Sequence, residues 1–144
     1  MGYRSLQATD IGNACVCLGV RRAARLVARR YDDALRPLGI TSGQFSILAA
    51  LLRDGAVPLG SLADVLGMDR TTLNRNLKPL NELELVETAY DNFDRRVRGL
   101  KLTIAGRELL DRAIPLWRDV QRDSNRRLGR GGWTAFRSQL QAMA

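Results

Sequence analysis

The chain has 144 residues, 45% of them hydrophobic and 26% charged, with a formal net charge of +8, two cysteines and no histidine. Such a length suits one compact domain, or a small domain with arms. The composition excludes a disordered chain and a disulfide scaffold, and no apolar run approaches the roughly 18 residues of a membrane span. A basic excess of this kind favours polyanions, because binding releases their counterions. The basic residues are almost all arginine, with Lys78 and Lys101 the lysines. Arginine's planar fork suits phosphates and guanine edges, although a general bias toward arginine would give the same composition. Residues Met1 to Asp10 contain no signal-peptide core, so a cytoplasmic protein is expected.

Ile11 to Arg36 reads as one long helix, with Cys15, Leu18, Arg22, Leu26 and Arg29 at helical spacing and Pro37 and Gly39 as its stop. On a continuous helix Cys15 and Cys17 lie about 200° apart, so their side chains diverge and cannot bridge. No metal-ligand spacing accompanies them, and no metal or cofactor is expected. Thr41 opens a second helix, with Gln44 completing a capping box. Its apolar stripe is Phe45, Leu48, Leu51 and Leu52, and Asp54-Gly55 ends it.

Leu59, Leu62, Ala63 and Leu66 mark a short amphipathic helix closed by Gly67. Asp69 is a good N-cap for the next helix, which carries Leu73, Leu77 and Leu80 on one face. Pro79 lies within that helix and should kink it or end it early. Leu85 to Tyr90 and Val97 to Leu102 are strand-like and flank a polar tip, as in a hairpin. Thr103 caps a long helix through Ala113, Trp117, Val120 and Ser124, which Pro115 should bend. After a break at Gly129 to Gly132, Trp133, Phe136 and Leu140 mark a last helix.

A short helix, a glycine turn and a second helix make a helix-turn-helix by pattern. With the leucines inward, Thr71, Asn74, Arg75 and Lys78 fall on or beside the opposite side; with Arg70 and Thr72 they are candidate DNA contacts, since Thr, Asn, Arg and Lys meet phosphates and base edges in a major groove. The same face would serve as ordinary solvated surface. The hairpin adds Asp94, Arg95, Arg96 and, beside the tip, Arg98. An arginine on a two-stranded ribbon can enter a narrow minor groove, and Asp94 can orient the Arg96 guanidinium. A recognition helix followed by a basic wing is more specific than either part.

Nearly the whole chain resembles the MarR-type (multiple antibiotic resistance regulator) winged-helix regulators. The resemblance rests on Leu35-Arg36-Pro37-Leu38-Gly39-Ile40-Thr41, Gln44-Phe45 and Leu62-Ala63-Asp64-Val65-Leu66-Gly67-Met68. It continues in Thr71-Thr72-Leu73-Asn74-Arg75-Asn76-Leu77, Leu85-Val86, Asp94-Arg95-Arg96, Leu102-Thr103 and Gly106. It implies a mainly α fold with a small β-wing, a winged helix-turn-helix over residues 41–103, and dimerisation helices over 1–40 and 104–144. It also implies a homodimer on a near-palindromic double-stranded operator, with Asn74 and Arg75 on the recognition helix and Arg96 as the wing arginine. Glu84 departs from the glycine usual at its position; a left-handed backbone there would cost about 1 kcal/mol.

Regulators of this kind commonly release DNA when a small molecule, here a small aromatic or phenolic compound, binds between arm and lobe. Candidate lining residues are Val20, Ala24, Phe45, Leu48, Leu116 and Trp117, which would serve equally as plain core. Cys17 resembles in position the reactive cysteine of the organic-hydroperoxide-sensing branch, with Tyr31 at that branch's tyrosine, while Ser42 stands where the branch has a second tyrosine. Arg21, four residues on, would favour a thiolate, although it replaces an aromatic of that branch. An enzyme is not expected, because no nucleophile-base set or glycine-rich phosphate loop is present. The rival of another class is a non-specific nucleoid-packing protein.

Overall fold

The computed structural model describes residues 8–90, 94–96 and 98–144. The N-terminal residues 1–7, the wing-tip positions Asp91, Asn92 and Phe93, and Val97 at the expected start of the second wing strand lie outside them.

The first helix is not continuous. Helix α1 spans Ala8–Ala14 and α2 spans Val16–Leu35, and between them Cys15 is extended (φ −78°, ψ 107°). The Cys15 Sγ accepts from the Leu18 N–H and so caps α2. The diverging geometry expected for Cys15 and Cys17 assumed an unbroken helix, and the break removes that basis. Leu35, at the end of α2, is fully buried. A 3-10 turn, Arg36–Leu38, then ends on Gly39 in the left-handed region (φ 70°), where glycine is unstrained.

Helix α3, Ser42–Ala50, starts with the expected capping box: the Gln44 N–H donates to Thr41 Oγ1, and the Thr41 N–H donates to Gln44 Oε1. Phe45, Leu48 and Leu51 are buried as expected, but Leu52 is 46% exposed. The helix ends at Ala50, so the helical spacing no longer applies to Leu52. Strand β1, Val57–Pro58, follows; it was not expected, and two residues are too few to show alternation. Helix α4, Leu59–Leu66, closes on Gly67 (φ 61°), and the Met68 N–H returns to the Ala63 carbonyl at 3.0 Å.

Helix α5, Arg70–Glu82, buries Leu73, Leu77 and Leu80. It runs through Pro79 rather than ending there. The proline deletes one bond, to the Arg75 carbonyl, and only one further turn follows; burial of Leu77 and Leu80 holds that turn in place. Strand β2, Val86–Tyr90, and strand β3, Arg98–Leu102, pair antiparallel with Val86 opposite Leu102 and Tyr90 opposite Arg98. Strand β1 joins the other edge of β3, giving the order β1-β3-β2. Its approach needs Gly99, because a Cβ there would lie 2.7 Å from the Val57 carbonyl.

Glu84 takes the left-handed backbone that its position demands (φ 54°), and its carbonyl accepts from Thr103 Oγ1 at 2.6 Å. Thr103 also caps α6, Ile104–Arg127, through the Gly106 N–H. Helix α6 passes through Pro115 without interruption. Asn125 near its end accepts from the Trp133 N–H and so seats α7, Gly132–Met143.

One apolar core joins the elements, from Leu35 and Ile40 through the leucines of α3 to α5 and the strands to Leu110 and Ala113 of α6. Helix α2 is tied to α6 by the Arg30–Asp123 ion pair and by the Tyr31 hydroxyl, which donates to Gln121 Oε1 at 2.7 Å. The architecture is a winged helix-turn-helix carrying long flanking helices. Ile11, Val16, Leu18 and Leu26 before the lobe, and Trp133 and Phe136 after it, remain exposed.

Candidate nucleic-acid interface

The turn between α4 and α5 sets the second helix. Gly67 makes the tight end of α4, and Asp69 at once caps α5: its Oδ1 accepts from the Thr72 N–H at 2.7 Å and its Oδ2 from the Thr72 hydroxyl at 2.9 Å. These bonds, with the Arg75 charge nearby, hold the Asp69 carboxyl below the usual carboxylate range. The cap is therefore ionised at neutral pH and sits where the helix dipole favours negative charge.

Of the candidate contacts on α5, Arg70, Thr71, Asn74, Arg75 and Lys78 are exposed, opposite the buried leucines. Arg70 and Arg75 make no ion pair among the described residues, and Lys78 lies 4.0 Å from Glu82. Thr72 differs from the other candidates. It is half-buried and its hydroxyl hydrogen is already given to Asp69. Asn76, which the sequence did not single out, is half-buried with its Nδ2 on the Thr72 carbonyl at 2.9 Å. A Cβ on Gly43 of α3 would stand 2.9 Å from the Asn76 Oδ1. A glycine inside an otherwise regular helix is the signal that could have revealed this close approach.

On the wing, Asp94 Oδ1 accepts from both the Arg96 backbone N–H (3.0 Å) and its Nε (3.1 Å), and Oδ2 accepts from Nη2 (3.4 Å). The Arg96 guanidinium, and then its backbone N–H, pull the Asp94 carboxyl below its ordinary range. The Arg96 side chain is 92% exposed even so. Arg95 is exposed beside it. The wing thus offers a cation whose direction is set before any partner arrives.

The candidate ligand-site residues separate. Phe45 of α3 and Trp117 of α6 stack, ring centroids 6.1 Å apart and 21° from parallel. Leu48 is fully buried, and Leu116 packs on the same core. Val20 and Ala24 lie exposed on α2 and do not join them. A separate cavity of about 450 Å³ lies between Arg53, Glu87, Lys101, Thr103 and Arg107, and none of the six candidates lines it. Cys17 is exposed. Tyr31 stands fourteen residues along the same helix, about 21 Å away at 1.5 Å per residue, and its hydroxyl is engaged by Gln121. One chain alone therefore does not bring Tyr31 to the thiol. Among the described residues no group of three or more His, Cys, Asp or Glu could hold a metal ion, and no helix is long and apolar enough to cross a membrane.

Comparison with known proteins agrees with this geometry. A family model described as the MarR family matches residues 38–96. The chain is 33% identical over 104 residues to the HTH-type transcriptional repressor NicR of Pseudomonas putida, and 29% identical over 84 residues to an uncharacterized HTH-type transcriptional regulator, YwoH, of Bacillus subtilis. The matches cover 72% and 58% of this chain but only 66% and 61% of those relatives. Among solved structures, the M. tuberculosis transcriptional regulator MosR in complex with DNA is 38% identical. It superposes with a TM-score of 0.76 over 90% of this chain and 92% of that one.

Proposed function

The chain belongs to the MarR family of transcription regulators, and we propose that it is a homodimeric repressor that binds a near-palindromic double-stranded DNA operator. One observation carries this reading: an exposed Thr71, Asn74, Arg75 and Lys78 face on α5, followed in the same lobe by Arg96 held outward on Asp94. The helix would enter the major groove and Arg96 the adjacent minor groove or backbone. Arg70 and Arg95 would meet phosphates, and Thr72 would act by holding the helix start. The DNA-bound MosR structure supports DNA as the partner, and the similarity to NicR, a transcriptional repressor, supports repression.

The second copy is supported by the apolar side chains left exposed on α1, α2 and α7. In this reading residues 1–40 and 104–144 form the dimer arm and 41–103 the DNA-binding lobe, in the cytoplasm. A small aromatic or phenolic compound would release the DNA by parting the Phe45–Trp117 wall between arm and lobe, with the partner's helices completing the site.

The test is mutational. Arg75→Ala should weaken operator binding by about 1–3 kcal/mol and relax base preference. Arg96→Ala should weaken binding across sequences with a smaller salt slope, since a phosphate or minor-groove contact is lost. Unchanged affinity in both folded variants would overturn this docking, and a stable monomer by light scattering at micromolar concentration would overturn the dimer.

A further inference from the structure

Helix α3 packs on both α2 of the arm and α5 of the lobe. Its first residues make both connections. Asp32, half-buried near the end of α2, accepts from the Ser42 N–H through Oδ1 at 2.6 Å. That N–H opens α3, so it has no partner within its own helix. One residue on, Gly43 meets the Asn76 side chain of α5 at a separation that no Cβ would allow without displacing it. The Asn76 amide cannot swing away freely, because its Nδ2 is held by the Thr72 carbonyl.

We propose that Asp32 is a positioning residue which, through Ser42 and the Gly43–Asn76 contact, fixes the recognition helix relative to the dimer arm and so sets the spacing of the two half-sites. This rests on the reading of the chain as a dimeric DNA-binding protein. The bond is charge-assisted and lies at a helix N-terminus, where a carboxylate is favoured. Without it the start of α3 is free to shift, and α5 shifts with it. In a two-fold dimer the displacement occurs in both copies, so the distance between recognition helices changes while each helix keeps its own surface. Asp32 touches no DNA in this account.

The experiment uses the full chain and the duplex that the wild type selects from a random-sequence library. Affinities are measured by fluorescence anisotropy at fixed salt for that duplex, for versions with one or two base pairs inserted or removed at its centre, and for a single half-site. Asp32→Ala removes the acceptor. Ser42→Pro removes the donor at a first helical position, where proline is tolerated, and Thr41 already has the extended backbone (φ −94°, ψ 166°) that proline requires before it. Each variant should lose about tenfold on the preferred spacing and flatten the spacing profile, while half-site affinity stays within about twofold. The double variant should lose no more than either single, and Asp32→Asn, which keeps an acceptor, should restore the wild-type profile.

Either single variant decides the matter if the other fails to fold by circular dichroism. A folded variant with an unchanged spacing profile, or with the same loss on the half-site as on the full site, would overturn the role of Asp32 and leave DNA binding intact. A wild type that selects no sequence would overturn the underlying reading as well.

Discussion

Asp94 grips Arg96 from two sides, Oδ1 at 3.1 Å from Nε and Oδ2 at 3.4 Å from Nη2, yet leaves the arginine side chain 92% exposed. The carboxylate sits close to where phosphates would lie, so charge alone argues that removing it should strengthen DNA binding. Orientation argues the opposite, because a free arginine must give up rotamer freedom on binding. Asp94→Ala should therefore weaken operator binding by about three- to tenfold despite the gain in net positive charge. Anisotropy titration at fixed salt checks this, and tighter binding would show that the charge outweighs the orientation. Since Arg96 holds the Asp94 carboxyl below its usual range, the group stays ionised at neutral and mildly acidic pH, and the wing should add no pH dependence between about pH 5 and 8.

Glu84 occupies a left-handed backbone at φ 54°. That conformation costs a side chain about 1–2 kcal/mol, and glycine's extra freedom in the unfolded chain returns part of the difference. Glu84→Gly should raise stability by about 0.5–1 kcal/mol in urea titration at fixed protein concentration. A lower midpoint would mean that the Glu84 side chain contributes something its backbone conformation does not reveal.

Gly106 presents the reverse case. A Cβ there would fall 2.0 Å from the Leu85 carbonyl oxygen, a backbone atom that cannot rotate away. Gly106→Ala must separate α6 from the start of the wing, and about 3 kcal/mol or more should be lost. Gly60→Ala, with nothing within 4 Å of the new methyl, should instead be neutral or gain up to about 1 kcal/mol. Equal effects in the two variants, compared by urea midpoint, would contradict the close approach.

Asp123 joins the two long helices α2 and α6 by meeting Arg30 of α2 as well as Arg126 and Arg127 of its own helix. Its carboxyl is held below the ordinary value, first by the Arg127 hydrogen bond and then by the charges of Arg127, Arg30 and Arg126. A depressed folded-state value means that the contribution is fully present above the unfolded carboxylate range, near pH 4, and is lost as pH falls through the lower folded value. Asp123→Asn should lower the melting temperature at pH 7, and the gap from wild type should narrow as pH falls below the ordinary carboxylate range and close once the depressed folded-state value is passed. A gap that persists under acid would assign the effect to packing.

The helix-turn-helix was legible because its signals are local. Gly67 and Asp69 each act on their own turn, and the leucine spacing of α5 reports one buried face. The hairpin was legible for the same reason. What escaped depends on contacts between distant segments. Strand β1 exists because Gly99 lets Val57 approach β3. Pro79 suggested a helix end, but Leu77 and Leu80 are anchored in the core and carry the backbone past it. Cys15 interrupts an apolar periodicity that continues on both sides, so spacing alone could not show the break. Within the candidate site, the exposed cations of α5 follow from helix geometry, whereas the recruitment of Thr72 to the cap and of Asn76 to Gly43 requires the folded chain.

A protein that reads sequence through a recognition helix and wing must favour its operator over other DNA, so the ratio of specific to non-specific affinity is the decisive measurement. Anisotropy at one fixed salt concentration should compare the duplex selected from a random library with a scrambled duplex of the same length and composition. A preference of about a thousandfold or more for the selected duplex is expected. Equal affinity for the two, with binding that simply tracks ionic strength, would contradict it and make the +8 chain a non-specific DNA-packing protein.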